Sequence, residues 1–317
     1  MDNFDKNIET YDEIDYKELF TVLWLNKKFI ITLTAIAAII SVLYSLSLTN
    51  VYTAKTLLSP TNSLGNSGSI SQYSNLASMA GINLPKGGSD NQLDVALELV
   101  KSKKLLDRLK LYESFLPNLL AAESWTMETN TITYNEALYD KKNNIWVREV
   151  SLPFKKIPSS QEAFRKFSGL VSISRDNSTQ LITLTVNHLS PVVAQEWSIW
   201  IIKEVNTILA DMEISNSQAS IDYLNSQIKI TPYSELRTMF YKLIQESTQS
   251  MMLASVNPEY VLTTIDPPVI PEIKSGPKRS SICIFWTLIG CMFSILIILV
   301  RKYGFSQDDE LNIFRLR

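Results

Sequence analysis

FIITLTAIAAIISVLYSLSL, from Phe29 to Leu48, is a run of twenty residues without a charge, and ICIFWTLIGCMFSILIILV, from Ile282 to Val300, is a second of nineteen. At 1.5 Å rise per residue, a helix of either length crosses the roughly 30 Å hydrocarbon core of a bilayer. A signal peptide has a short basic start and about 7 to 15 apolar residues, whereas the first run follows 28 residues rich in Asp and Glu. The alternative for the second run, a buried core helix, is opposed by the charges that bracket it: Lys278 and Arg279 before, Arg301 and Lys302 after. Both runs therefore read as retained transmembrane helices.

Two spans put both termini on one side of the membrane and the stretch 49–281 on the other. Lys27 and Lys28 precede the first span, and Arg301 and Lys302 follow the second, so both short flanks suit the cytoplasm. Lys278 and Arg279 run against this assignment, but a long translocated loop is largely exempt from the charge rule. The expected organisation is a cytoplasmic segment 1–28, a span 29–48, a periplasmic domain 49–281, a span 282–300 and a cytoplasmic tail 301–317, in a bacterial inner membrane. The only cysteines, Cys283 and Cys291, fall in the second span. They read as small apolar residues of a helix, and the exported domain has no disulfide.

The 30 basic and 32 acidic residues leave a net charge of -2. That balance gives no general attraction to nucleic acid, and none is expected as a partner. Enzyme chemistry is poorly provided for. His188 is the only histidine, and with two cysteines inside a span it makes no ordinary zinc site. A surface or satisfied structural role suits it better than catalysis. No nucleophile elbow, phosphate-binding glycine loop or kinase signature occurs. The expectation is no catalytic, cofactor-binding or metal-binding residue, although sequence alone does not show the separations of the scattered carboxylates.

Between the spans the pattern is mixed helix and strand, giving an α+β class. Ile14, Leu19, Phe20, Val22 and Leu23, followed by Trp24, suggest a short interfacial helix before the first span. Val51 to Pro60 alternates as a strand, and residues 61 to 91, rich in Gly, Ser and Asn, suit a mobile loop. Leu93, Ala96, Leu97, Val100, Leu105, Leu106 and Leu109 recur at helical spacing, predicting one helix that ends before Pro117. Residues 122 to 158 carry no assignable period. Ser159 and Glu162 form a capping-box spacing that opens a helix through Phe167. Val171–Ser174 and Leu181–His188 read as a hairpin. Ser190-Pro191 starts a helix whose apolar positions Trp197, Ile201, Val205, Ile208, Met212, Ile221, Leu224 and Ile228 predict a length of about 60 Å, up to the break at Pro232. A second helix, from Tyr233 to Leu253, is expected to continue it or pack on it.

The most specific signal is at the return to the membrane. Asp266-Pro267-Pro268-Val269-Ile270-Pro271 is followed by Gly276-Pro277-Lys278-Arg279. Prolines fix φ and favour an extended, semi-rigid connection. Inside the span, Gly290 and Ser294 have the small-xxx-small spacing that permits close helix approach. Pro268, Pro271, Pro277, Lys278 and Gly290 fall at the places of a motif P-x2-P-x4-S-P-K-x11-G-x3-G, with Gly276 in place of the serine and Ser294 in place of the last glycine. With Ile14-Asp15, Leu23-Trp24, Lys27-Lys28 and Tyr52-Thr53-Ala54, these residues resemble the Wzz-type polysaccharide co-polymerases, the O-antigen chain-length determinants of Gram-negative inner membranes.

The resemblance covers both membrane-proximal ends and the overall layout, and carries no motif in residues 61 to 260. It implies a non-catalytic regulator of the length of a lipid-linked glycan made by a separate O-antigen polymerase. It also implies a homo-oligomer, with an α/β base near the membrane and long helices rising from it. The branch of relatives that carry a cytoplasmic tyrosine kinase after the second span is not expected, with seventeen residues following that span here. Two other function classes compete. A two-helix sensor would need a cytoplasmic output module or a signalling partner, and a polymerase or ligase of glycan assembly would be expected to show many spans or a recognisable site.

Overall fold

A computed structural model describes residues 16–61 and 89–304. Residue Ile14 and most of the glycine-rich segment 61–91 lie outside them. The chain divides into two units, 1–49 with 276–317, and 50–275.

In the first unit, helix α1 (Tyr16–Leu25) precedes helix α2 (Lys27–Ser47), and helix α9 (Arg279–Leu299) follows the second unit. α2 and the stretch Arg279–Lys302 have mean hydropathies of 2.3 and 2.7. A core helix would bury its apolar side chains. Here Ile31, Leu43, Phe285 and Met292 are 64%, 64%, 65% and 71% exposed, as a lipid-facing surface requires.

The second unit is built on a four-stranded antiparallel sheet of β1 (Tyr52–Pro60), β6 (Val171–Arg175), β7 (Ile182–His188) and β8 (Leu262–Asp266), ordered β6-β7-β1-β8. β1 is central and in register with β7 from Tyr52↔His188 to Leu58↔Ile182. Its even-numbered residues Tyr52, Ala54, Thr56 and Leu58 are buried and its odd ones face outward, as the period of two requires. The β6–β7 hairpin turns on Asp176, whose Oδ1 accepts the backbone N–H groups of Ser178 and Thr179.

Between β1 and β6 run helices α3 (Ser89–Val100), α4 (Lys103–Leu109), α5 (Phe115–Leu120) and α6 (Ser160–Leu170). The single helix expected up to Pro117 is therefore divided. Ser102 adopts extended dihedrals and accepts the Leu105 N–H, so it caps a new helix. Pro117 sits in the first turn of α5, where its missing N–H has no intrahelical partner to lose. The stretch without a readable period holds two small hairpins: β2 (Ala122–Thr126) with β3 (Thr131–Tyr134), and β4 (Tyr139–Asp140) with β5 (Ile145–Trp146). α6 begins with the expected capping box, both reciprocal bonds present between Ser159 and Glu162.

Helix α7 (Pro191–Ile230) has Ser190 as N-cap, its hydroxyl accepting the Val193 N–H. It is an unbroken helix of 40 residues, about 60 Å long. Its first half lies on the sheet, with Trp197, Ile201, Val205 and Ile208 in the main core beside Leu58, Leu105, Phe115, Phe167 and Leu184. Met212, expected on the same stripe, is 38% exposed. Leu209 is buried in the core instead. The far half packs against helix α8 (Ser234–Val256), which folds back on it rather than continuing it, through a small cluster of Leu224, Phe240 and Leu243. Pro232 ends the first helix because its ring permits no further i→i−4 bond.

Candidate functional site

The two ends of the motif lie in different units, and each has its own local geometry. In the membrane unit, α2 and α9 are antiparallel and packed together. A Cβ added at Gly290 would stand 2.5 Å from the Ala37 Cβ, nearer than real Cβ atoms come. Only glycine fits at that crossing. Ser294, one turn further along α9, is fully buried, and its hydroxyl donates to the Cys291 carbonyl, which satisfies it within its own helix. On α2 the same face continues from Ala37 through Ser41 and Ser45, both 2% exposed. The crossing is therefore built from small residues on both helices, the arrangement that lets membrane helices approach closely. Sequence reading found Gly290 and Ser294 and missed Ala37-x3-Ser41-x3-Ser45. That spacing was readable in the first span, but nothing local pairs it with the second. Arg279 closes one end of the hairpin, its Nη2 donating to the Leu48 carbonyl at 3.3 Å.

In the domain unit, the return segment is tied down along its length. β8 pairs with β1 only from Leu57 to Pro60, with a register shift at Leu57/Leu58. Beyond Asp266 come Pro267, Pro268 and Pro271, which have no N–H to extend a ladder. Side chains hold the segment instead. Pro268 is buried, and its carbonyl accepts from Gln195 Nε2 at 2.9 Å. Pro271 is half-buried. The Ser275 N–H donates to the Val51 carbonyl at 2.9 Å, the Ser275 and Thr53 hydroxyls meet at 2.5 Å, and Lys274 reaches the Asn50 side chain at 3.3 Å. Gly276, Pro277 and Lys278 already belong to the membrane unit; the first two are half-buried and Lys278 is exposed.

His188, the one histidine, is 3% exposed. Its Nε2 is 3.0 Å from the Asn118 carbonyl, which only accepts, so that nitrogen carries the proton; Nδ1 accepts the Ser190 N–H, also at 3.0 Å. Burial lowers its pKa, partly offset by those two bonds. The ring is thereby a neutral, fully satisfied link between α5, β7 and the start of α7. Among the described residues no group of His, Cys, Asp and Glu is arranged to hold a metal ion.

Two charged clusters anchor peripheral elements. Glu204, 8% exposed, accepts from Arg108 Nε and the Tyr112 hydroxyl, each at 2.9 Å. Desolvation and that bond push the Tyr112 pKa up to about 12, and its ring stacks on Trp200 at 4.3 Å. Arg148 binds both Glu162 oxygens and the Lys155 and Lys156 carbonyls, gathering the loop after β5 onto the start of α6. The guanidinium holds the Glu162 carboxyl down at about 2. Each cluster fastens one segment to another, and Arg108 also borders a surface pocket with Lys104, Asp107, Ile208 and Asp211.

Residues 12–110 match the family model of Wzz, the chain length determinant protein. The matched region runs from before α1 through α2 and β1 to the end of α4, so the proline-rich return segment and α9 lie outside it. No curated protein matches the chain. Among solved structures, a full-length bacterial polysaccharide co-polymerase is 15% identical with a TM-score of 0.39, over 96% of this chain and all of that one. A fragment of WzzB, a polysaccharide co-polymerase from Salmonella Typhimurium, is 13% identical with a TM-score of 0.28, over 72% of this chain and all of that one. Both scores are low, and the assignment rests on the family match. The Wzz match and the two apolar helices indicate an inner-membrane protein and support a polysaccharide chain-length co-polymerase.

Proposed function

We propose that this chain sets the modal length of a lipid-linked surface polysaccharide, lipopolysaccharide O-antigen, as a non-catalytic homo-oligomeric scaffold acting with a separate polymerase. The observation that carries this is the Wzz match over residues 12–110, in a chain whose two apolar helices pack as a close hairpin around Gly290 and Ala37. In this proposal both termini are cytoplasmic and residues 49–281 are periplasmic. Pro268, Pro271, Gly276, Pro277, Lys278 and Arg279 couple domain to membrane, while Gly290 and Ser294 hold the hairpin closed.

The mechanism needs no bond-making group in this chain. A scaffold can only bias how long a growing glycan stays with its polymerase, so altering it should change the length distribution and not the presence of polymer. The test is the glycan length profile of a deletion strain, with and without this gene. Restoration of a modal length supports the proposal. Loss of all polymer in the deletion strain, or an unchanged profile, overturns it. Reporters at Asp5 and Gln307 should read cytoplasm and one at Gly65 periplasm, and the reverse pattern would refute the orientation.

A further inference from the structure

The antiparallel hairpin decides which charges share an end of the membrane unit. Ala37 and Gly290 cross near mid-span, and Arg279 meets Leu48 at one end. Lys27 is ten residues before Ala37 and Arg301 eleven after Gly290. At the rise of a helix, both stand about 15 Å from the crossing, on the side away from Arg279. Lys27, Lys28, Arg301 and Lys302 thus gather at one end of the hairpin.

Helix α1 adds apolar surface there. Its Val22 is buried, while Phe20, Trp24 and Leu25 are 66%, 61% and 77% exposed. The Lys27 ammonium lies 4.6 Å from the centroid of the Trp24 ring, a cation–π contact that joins the basic and aromatic groups. Exposed aromatic and aliphatic side chains next to clustered cations match the chemistry of a membrane interface, with rings at the headgroup level and ammonium and guanidinium groups facing phosphate. The flanking sequence is acidic, with Asp2, Asp5, Glu9, Asp12, Glu13 and Asp15 on one side and Asp308, Asp309 and Glu310 on the other. A diffuse, long-range attraction to an anionic surface is thereby weakened, which leaves direct contact between the basic side chains and individual headgroups.

We propose that this end of the hairpin binds the phosphate headgroups of anionic phospholipids, with Lys27, Lys28, Arg301 and Lys302 as the cationic contacts and Phe20, Trp24 and Leu25 seated at the acyl-chain boundary. The proposal does not rest on the glycan-length reading, and either can fail alone.

The full-length chain, purified in detergent, is offered equal amounts of phosphatidylglycerol and phosphatidylcholine, and the retained lipids are counted by native mass spectrometry. The parent should retain phosphatidylglycerol preferentially. A basic residue near an anionic surface changes affinity about fivefold, so Arg301→Gln/Lys302→Gln should reduce the preference by roughly tenfold or more, with Lys27 and Lys28 left to hold the insertion. Phe20→Ser/Trp24→Ser should lower retention of both lipids and leave their ratio unchanged. If the basic double variant aggregates, Lys28→Gln alone should give about a fivefold loss. Equal retention of the two lipids by the parent, a preference unchanged in the charge variants, or displacement of phosphatidylglycerol by millimolar inorganic phosphate each overturns the proposal.

Discussion

Replacing Gly290 by Ala tests the hairpin at its tightest point. The new Cβ would stand 2.5 Å from that of Ala37, against the 3.5 to 4.0 Å at which carbon atoms attract, so the helices must part by about 1 to 1.5 Å. Overpacking of this kind costs about 1 to 3 kcal/mol. Alanine is also the better helix former, by about 1 kcal/mol in water, which offsets part of the loss. The single substitution alone is therefore an ambiguous measure, and the cycle with Ala37→Gly is the decisive one. Ala37→Gly/Gly290→Ala exchanges the methyl group between helices and removes the clash, so the two changes should couple by about 1 to 3 kcal/mol. Unfolding of the full chain in dodecyl maltoside–SDS mixtures measures each corner. Gly290→Leu, with a larger side chain at the same place, should fall below all of them, whereas Leu296→Ala, on the exposed face, should stay near the parent. A coupling energy near zero would show that Gly290 and Ala37 do not oppose one another in the folded protein.

Asn206→Ala removes a buried side chain that accepts from the Val261 and Leu262 N–H groups and donates to the Leu262 carbonyl; a loss of about 3 kcal/mol is expected in thermal unfolding, and a change near zero would refute its role in seating β8. Arg148→Ala releases Glu162, whose folded pKa of about 2 lies below its ordinary 4.5. The carboxylate thus stabilises the fold above the ordinary value, and that stability is lost as the pH falls from about 4.5 towards 2. With partial solvent exposure of the pair it amounts to about 1 to 2 kcal/mol, so the parent and Arg148→Ala should converge in acid, and a constant gap across that window counts against the pair. His188→Ala should leave the glycan profile intact while lowering stability by about 2 kcal/mol, because two buried polar groups lose their partner; loss of function at parental stability would reopen a catalytic role.

What could be read in the sequence was set by neighbours along the chain. Ser190-Pro191, the Ser159/Glu162 box and the Asp176 turn are hydrogen-bonded within a few residues, so their geometry follows from local composition. The two spans were legible for a related reason, since a bilayer demands length and apolarity from one continuous segment. The break at Ser102 was misread although the phase changes there: Val100 and Leu105 are five residues apart, so Leu105, Leu106 and Leu109 fall on the opposite side of a continuous helix from Leu93, Ala96, Leu97 and Val100, and Ser102 caps a new helix between the two sets. The hairpins at 122–146 stayed hidden because they are short and packed by scattered aromatic contacts, such as Tyr52 with Trp125 and Tyr139 with Trp146. The motif residues Gly290 and Ser294 were recognised, but not their counterpart Ala37-x3-Ser41-x3-Ser45, because pairing of two spans is a tertiary fact. Whether the motif residues act on glycan length is left to the Gly290 and proline variants.

The central place of β1 gives the return segment its mechanical meaning. β1 leaves directly from the first span, and β8 pairs beside it in the opposite direction, so the start of β1 and the end of the return segment meet at one edge. Val51 and Ser275 are hydrogen-bonded there, backed by Thr53 and Lys274. An uninterrupted β8 could have closed the same distance with ladder bonds, but the prolines forbid it, and side-chain bonds from Gln195 and Thr53 replace them. Gln195 belongs to the first turns of α7. The long helix, the central strand and the proline segment therefore share one set of contacts, through which the proposed coupling of domain to membrane would run. A triple Pro268→Ala/Pro271→Ala/Pro277→Ala variant keeps the Pro268 carbonyl position available to Gln195 but frees the backbone. Under the proposed coupling it should broaden the glycan length distribution while inserting normally, and a parental distribution from a normally inserted variant would remove the segment from the mechanism without touching the family match.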